Sequence, residues 1–288
     1  MPEKYFEKFP IIQYANNFAI DITKSAKILD TVYNNPYFYY QYNIEQGERP
    51  DNISDKVYSD EYGDWAVYLA NKITDPYYHW YLDDFSFNSF IIKKYGSIRL
   101  SQLKYIFYRN NWYENTSPIS LSTFNALTVS AKQYYEPDFG VDPLSTIVLQ
   151  YKRRKIDWTL NTNSLVNYTV ANGSSFSYDN LVSVDYTGGA KGSGQVIASN
   201  STSVSLGFVD NIQSISTGSL FNKETGSNTT FTSQIYIANN IPADEASFWS
   251  PVTYFDYETE INEQNKSIRL LNSQYYSPMA QNLKTILI

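Results

Sequence analysis

The sequence predicts an α+β protein, with a strand–helix–helix–strand unit in an N-terminal domain and a β-rich inserted domain, and three observations carry that expectation. Between Phe38 and Ile44, aromatic and apolar residues recur at every second position, the period of a half-buried strand. Two short segments with helix-start residues and one-sided apolar spacing follow at once. From 161 to 240 charge nearly vanishes: only Asp179, Asp185, Lys191, Asp210, Lys223 and Glu224 are charged, amid Ser, Thr, Asn and Gly that alternate with Val, Ile, Leu and Phe.

In the first element Phe38, Tyr40, Tyr42 and Ile44 share a face. The first helix starts after Pro50, with Asp51 as its cap and Ile53 and Val57 as an i, i+4 apolar pair. In the second, Asp64 is the cap, and Trp65, Leu69 and either Tyr68 or Ile73 line one face, which places Trp65 in the core. A strand near Tyr77 to Leu82 is expected to close the unit. Within the β-rich stretch, Ser203 to Val209 alternates as a strand, and Thr187-Gly188-Gly189 and Gly192-Ser193-Gly194 read as turns, so a small barrel or sandwich fits. Ile268 to Leu271 and Met279 to Leu287 read as a closing strand and helix. The expected organisation is a domain over 1–160 holding the unit at about 38–82, a separable β-rich insertion over 161–240, and a segment over 241–288 that returns to the first domain.

Composition narrows the function. With 288 residues, 42% apolar and 18% charged, the chain has the makings of a packed core. A net charge of −7 leaves no basic stripe to neutralise phosphates, so nucleic acid is not an expected partner. The one dense basic run, Lys152 to Lys155, reads as a solvated strand edge, with an anion or RNA contact as the alternative. Without cysteine there are no disulfides or thiolate metal sites. No apolar run is long enough to span a bilayer and the N-terminus lacks a signal-peptide core, so a chain made and kept soluble in a cytoplasm is expected, and Asn172 and Asn200 are loop residues and not glycosylation sites. Aromatics are abundant, at 28 Tyr, 16 Phe and 5 Trp, which suits a protein interface or a carbohydrate-binding surface.

Little in the chain points to catalysis. His79 is the single histidine, no Gly-x-Ser-x-Gly elbow surrounds a serine, and one histidine without cysteine makes a poor zinc site. Asp83-Asp84 and the pair Glu258 and Glu260 have the residue types of acid–base carboxylates, yet such groups in polar turns are ordinarily solvated. Gly47, Gly63 and Gly96 form no phosphate loop. No catalytic residue, metal, cofactor or small-molecule substrate is therefore expected.

The run Gly47-Glu48-Arg49-Pro50-Asp51-Asn52-Ile53-Ser54-Asp55-Lys56-Val57-Tyr58, continued by Gly63-Asp64-Trp65-Ala66-Val67-Tyr68-Leu69, is similar to a LysM-type module. It also resembles the core of a baseplate wedge family of contractile-tailed phages, that of the gene 53 product of T-even phages. Further residues share the resemblance: Tyr5-Phe6, Phe9-Pro10, Tyr14 and Asp21-Ile22-Thr23 at the start, Asp75-Pro76, Trp80, Leu82, Phe90 and Lys94-Tyr95-Gly96 after the module, and Phe248-Trp249-Ser250-Pro251-Val252-Thr253 near the end. It covers roughly 1–140 and 241–288. The chain departs from it where Tyr81 stands between Trp80 and Leu82 in place of proline, and where Asp60 to Tyr62 lengthen the inter-helix turn. The resemblance implies a structural virion protein of the tail baseplate, assembled in the host cytoplasm. It joins or clamps neighbouring wedges, its partners being other baseplate wedge proteins and neighbouring copies of the wedge. Arg49, Tyr58, Tyr62, Tyr68, Trp80 and Trp249 are the candidate contact residues. A cell-wall glycan-binding LysM protein is the alternative, and a tail-associated muralytic enzyme is a third reading.

Overall fold

The computed structural model describes residues 5–23, 26–110, 117–140, 147–154, 158–160, 165–237 and 249–287. The chain divides into two compact units, one built from 1–94 with 258–288 and the other from 95–257. The Lys155 end of the basic run and Phe248 lie outside the described residues.

The first unit begins with a short 3₁₀ turn, Tyr5–Lys8, and a hairpin of β1 (Ile11–Tyr14) and β2 (Asn17–Ile20). Ala15 and Asn16 link the strands with φ of 47° and 65°, the left-handed pair that a two-residue hairpin turn of the primed type requires. A single helical turn, α1 (Asp30–Tyr33), leads to β3 (Tyr39–Asn43), which falls where the period-two pattern places it. Next come α2 (Pro50–Tyr58) and α3 (Asp64–Asn71). Neither expected side-chain cap forms as drawn. Pro50 takes the first helical position of α2 and Arg49 precedes it without a cap bond, because proline's fixed φ starts the turn and its missing N–H needs no acceptor. At α3 the cap position is Gly63, and Asp64 sits one residue inside, accepting from the Trp65 amide at 2.9 Å.

The expected strand at Tyr77 to Leu82 is also absent: residues 75–82 run as turns and irregular chain. Asp75 folds them back by accepting from the Tyr77 amide with its carboxylate at 2.9 Å and from the His79 amide with its carbonyl at 2.9 Å. The backbone of Leu82 is met instead by the Asn262 side-chain amide, which both donates and accepts, at 2.9 and 2.8 Å. Helix α4 (Asp84–Tyr95) then carries the chain out of the first unit.

The second unit opens with α5 (Ile98–Leu103) and β4 (Tyr105–Asn110), followed by two short helices, α6 (Leu121–Ala126) and α7 (Val129–Lys132). A hairpin of β5 (Tyr135–Asp138) and β6 (Gln150–Arg153) comes next, then β7 (Trp158–Leu160). The β-rich stretch is a closed antiparallel barrel with strand order β10-β11-β8-β13-β12-β9. Its strands are β8 (Leu165–Val170), β9 (Leu181–Tyr186), β10 (Lys191–Ser199), β11 (Ser203–Asp210), β12 (Gly218–Asn222) and β13 (Asn228–Ile237). Closure removes the unpaired edges that a sandwich would leave. Val166, Tyr168, Val182, Val184, Val204, Leu206, Leu220 and Phe231 alternate into its filled interior. Gly218 cannot be replaced there, since a Cβ would lie 2.2 Å from the Asp185 carbonyl. Gly192-Ser193-Gly194 is not a turn but part of β10, where the register to β11 shifts between Ser193 and Gln195, and glycine permits the close approach at that bulge.

β14 (Ser250–Thr253) pairs with β4, and β4 with β7. Helix α8 (Tyr254–Lys266) brings the chain back to the first unit, and the expected closing elements follow as β15 (Ser267–Leu271) and α9 (Ser273–Leu287). β15 pairs antiparallel with β3, Ile268 opposite Tyr42 and Leu270 opposite Tyr40. The strand that closes the strand–helix–helix unit thus comes from the far end of the chain.

Helix α3 is buried on two sides. Trp65 packs with Phe9, Tyr276 and Leu283 on one side, and Val67 with Ile44, Ile53, Trp80, Ile268 and Leu270 on the other. Trp65 is 4% exposed and stacks on Tyr5 at 5.7 Å. In the second unit Lys104 is a buried cation held by Asp179 at 3.1 Å and Glu224 at 2.9 Å, and the Gln195 amide exchanges hydrogen bonds with the Tyr105 backbone at 2.9 and 3.0 Å. Tyr254 donates to the same Asp179 at 3.1 Å.

Two outcomes are expected. Trp65→Ala should cost about 3–5 kcal/mol in denaturant unfolding, as truncation of a core aromatic does; unchanged stability would make Trp65 a surface contact. Because Lys104, Tyr105 and Tyr254 are bonded to the barrel, a cut at 161 and 240 leaves them without partners. Replacing residues 95–257 by a short Gly-Ser linker should instead leave a folded first unit, since Lys94 and Glu258 meet in a 2.7 Å ion pair that a short linker can span. Loss of cooperative unfolding in that chain would refute the division.

Candidate functional site

The six candidate contact residues fall into two groups. Trp80 and Trp249 are buried. The Trp80 ring closes the core between β3 and α3 and its Nε1 donates to the Glu48 carbonyl at 3.1 Å, while Trp249 packs with Tyr134 and Tyr135 in the second unit. Tyr58 and Tyr68 are half-buried. Tyr58 stacks on Tyr276 with centroids 4.3 Å apart and donates to the Leu271 carbonyl at 3.1 Å, and Tyr68 meets Trp80 edge-on at 6.4 Å. Tyr62 lies in the inter-helix turn, half-buried. Arg49 projects into solvent and is paired with Asp51 at 3.1 Å. Of the six, Arg49 and the open edges of Tyr62 and Tyr68 are the parts that reach solvent.

The lengthened turn at Asp60 to Tyr62 has a structural use. The Ser54 hydroxyl donates to the Asp60 carbonyl at 2.8 Å, and the Tyr276 hydroxyl donates to the Asp60 carboxylate at 2.6 Å, so the turn is tied to the C-terminal helix. Burial, with the Asp60 carboxylate next in importance, pushes the Tyr276 hydroxyl well above the usual tyrosine value; burial does the same to Tyr58.

Three of the four carboxylates weighed for chemistry, Asp83, Asp84 and Glu258, make structural contacts. Asp83 accepts from the Ser86 amide at 2.7 Å at the start of α4, and these hydrogen bonds hold its carboxyl below the usual value. Asp84 accepts from Gln46 at 3.3 Å. Glu258 is buried against Lys94. His79 is exposed, and among the described residues no group of His, Asp and Glu is arranged to hold a metal. The basic run is not a solvated edge throughout: Arg153 is buried with its guanidinium 3.9 Å from the Tyr135 ring, because successive residues of β6 face opposite ways and only Lys152 points outward.

The largest exposed apolar surfaces lie elsewhere. Tyr37, Tyr77 and Phe85 are almost fully exposed, and every residue of the β1–β2 hairpin is exposed. In the sequence the hairpin's Ile, Tyr and Phe look like ordinary core residues; the only local sign of a free-standing ribbon is how little chain, Ala15 and Asn16, joins its two strands. A groove of about 340 Å³ lies in the first unit between α1, α3 and α9, lined by Leu29, Val32, Phe38, Leu69, Met279 and Leu283 among others.

Residues 6–118 match the family model described as base plate wedge protein 53. The matched stretch takes in the hairpin, β3, α2, α3 and α4, which are all elements of the first unit apart from the end of α4, and runs on through β4. A search of curated proteins returns no match. The family match supports a structural role in the baseplate of the virion tail. No helix among the described residues is long and apolar enough to cross a membrane.

The raised tyrosines fix a pH window. An unfolded tyrosine ionises near pH 10, whereas Tyr58 and Tyr276 stay protonated above it, so the folded state binds more protons there and loses stability as pH rises past about 10. Thermal stability should be flat from pH 8 to about 10 and fall above it, and Tyr276→Phe should make that fall shallower; an identical alkaline profile in the variant would show that Tyr276 titrates normally.

Proposed function

We propose that the chain joins neighbouring wedges during baseplate assembly, through contacts with other baseplate wedge proteins and with adjacent copies of the wedge. The match to base plate wedge protein 53 over residues 6–118 is the observation that carries this reading. The distribution of aromatics supports it: beyond those filling the cores, Tyr14, Phe18, Tyr37, Tyr77 and Phe85 stand in solvent, where burial against a partner would contribute on the order of 25 cal/mol per Å² of apolar area. Such a protein works by shape and apolar burial with polar rims and turns over no substrate.

Within that reading we assign a LysM-like module to β3, α2, α3 and β15. Support comes from the order strand, helix, helix, strand and from the antiparallel pairing of its two strands. The module serves protein contacts here. The glycan-binding alternative rests on this unit alone, whereas the family match extends on both sides of the segment from β3 to α3, although it does not include β15.

Co-expression with the baseplate proteins encoded beside it should yield a complex that co-purifies, while the isolated chain shows no turnover of purified peptidoglycan and no micromolar binding of chitin oligosaccharides. Micromolar sugar binding without any co-purifying baseplate protein would replace the structural reading with the glycan one, and peptidoglycan turnover lost in an Asp or Glu variant would make the chain an enzyme.

A further inference from the structure

The β3–β15 sheet has only two strands among the described residues, and its two outer edges are treated differently. The Ile44 amide donates to the Lys266 carbonyl and the Asn272 amide to the Phe38 carbonyl, which fixes the alternation. Even-numbered residues of β3 bond to β15, and the backbone of Tyr39, Gln41 and Asn43 faces away from it. On the β15 side the same alternation turns Arg269 outward, where the Asn71 side chain meets both its N–H and its C=O. Among the described residues nothing does this for β3. The Tyr39 amide turns back to the Pro36 carbonyl, while Gln41 and Asn43, both exposed, make no outward main-chain bond. From Phe38 to Ile44 there is no lysine, acid or proline to discourage a further strand.

The same edge has unmet charge beside it. The Tyr33 ring carries two cations, the Arg269 guanidinium at 3.6 Å and the Lys72 ammonium at 3.9 Å, and neither is ion-paired among the described residues. Arg269 spends its Nε and Nη1 on the Ala70 and Tyr33 carbonyls, which leaves Nη2 buried and without an acceptor. The Tyr39 hydroxyl is buried and unbonded as well. Tyr33, Tyr39, Gln41 and Arg269 help to line a cavity of about 270 Å³ to which no acid contributes. Buried donors left without acceptors are costly, and a carboxylate is the acceptor that satisfies a hydroxyl and a guanidinium together.

We propose that β3 is a docking edge for an extended, acidic segment of another baseplate wedge protein. The segment adds as a strand to the open backbone of Gln41 and Asn43, and one of its carboxylates enters the cavity to meet Arg269 Nη2 and the Tyr39 hydroxyl. Neither atom touches solvent in the free chain, so docking includes a turn of the Tyr39 ring, a side-chain adjustment common at interfaces. Charge selects the occupant. The β3 strand of a second copy brings no acid, and neither does the β1–β2 hairpin, which is uncharged from Ile11 to Ile20. The proposal rests on the wedge-joining reading above and names the surface through which a different wedge protein is held.

The test uses the purified full-length chain and hydrogen exchange over residues 39–44, with a short, end-capped threonine–valine peptide carrying one central glutamate as the probe. The peptide should slow exchange of that segment, and its glutamine counterpart should bind about tenfold more weakly, the share of a charge-assisted hydrogen bond. Gln41→Pro removes an outward N–H that an edge strand can spare and should abolish binding. Tyr39→Phe removes a hydroxyl that bonds to nothing in the free chain, so it should weaken binding about fivefold while the melting temperature holds or rises. No slowing with either peptide, or equal slowing with both, would overturn the proposal. So would a lowered melting temperature with unchanged binding in Tyr39→Phe, which gives the hydroxyl an internal role, and so would protection that grows with the concentration of the chain alone, which makes the occupant a second copy. In the co-purified complex with neighbouring baseplate proteins the segment should be protected. A complex that forms while residues 39–44 still exchange freely refutes the docking edge and leaves the wedge reading standing. Failure of any complex to form refutes the wedge reading and this occupant with it, while selective binding of the glutamate peptide would still establish the edge.

Discussion

The pairing of β3 with β15 is the constraint on which the first unit depends. It joins Tyr39–Asn43 to Ser267–Leu271, so two segments at opposite ends of the chain must meet before either is buried. Ile268 and Leu270 then complete the core under α3, and the backbone of Arg269 is clamped by the Asn71 side chain, which accepts at 2.9 Å and donates at 2.8 Å. The Arg269 guanidinium goes on to the carbonyls of Ala70 and Tyr33, at 2.7 and 2.9 Å, and lies over the Tyr33 ring. One strand thereby anchors β3, the end of α3 and the end of α1. The entropy of closing so long a loop grows only slowly with its length, which is why an insertion as large as the second unit is compatible with it.

A second anchor has the opposite chemistry. Asp179 lies in the second unit at a left-handed φ of 70° and receives Lys104, Gln195 and Tyr254. A buried lysine between two carboxylates adds little net stability over an apolar cluster of the same size, but removing one partner leaves a charge without compensation, on the order of 3–5 kcal/mol. In this arrangement Lys104 is met by two carboxylates, and Asp179 also receives Gln195 and Tyr254. The barrel itself is held by apolar filling, with the Tyr168 and Tyr186 hydroxyls bonded to each other at 3.1 Å inside it.

Seen this way the high tyrosine content serves two ends. In the cores tyrosine supplies area and a hydroxyl that reaches a carbonyl or carboxylate, as Tyr58, Tyr254 and Tyr276 do. On the surface it supplies apolar area that remains soluble, which suits a subunit that waits for partners and then buries them. A structural role in the tail baseplate is consistent with both.

The sequence by itself determined the local elements whose cause is local. Period-two alternation placed β3 and β11, apolar spacing placed α2 and α3 and put Trp65 in the core, and charge depletion marked the barrel. It also carried the family resemblance, which is read from short runs of adjacent residues. What only the tertiary structure decided are the pairings between distant residues. The strand that closes the unit around α2 and α3 is β15 and not residues 77–82, because Asp75 folds that stretch into turns and Asn262 satisfies its backbone. Arg153 is buried under Tyr135, and the glycines of β10 lie in a strand, because neighbours remote in sequence approach there. The candidate site divides in the same way: burial of Trp80 and Trp249, and exposure of Tyr14 and Phe18, depend on what packs over each ring, and residue type is silent about that.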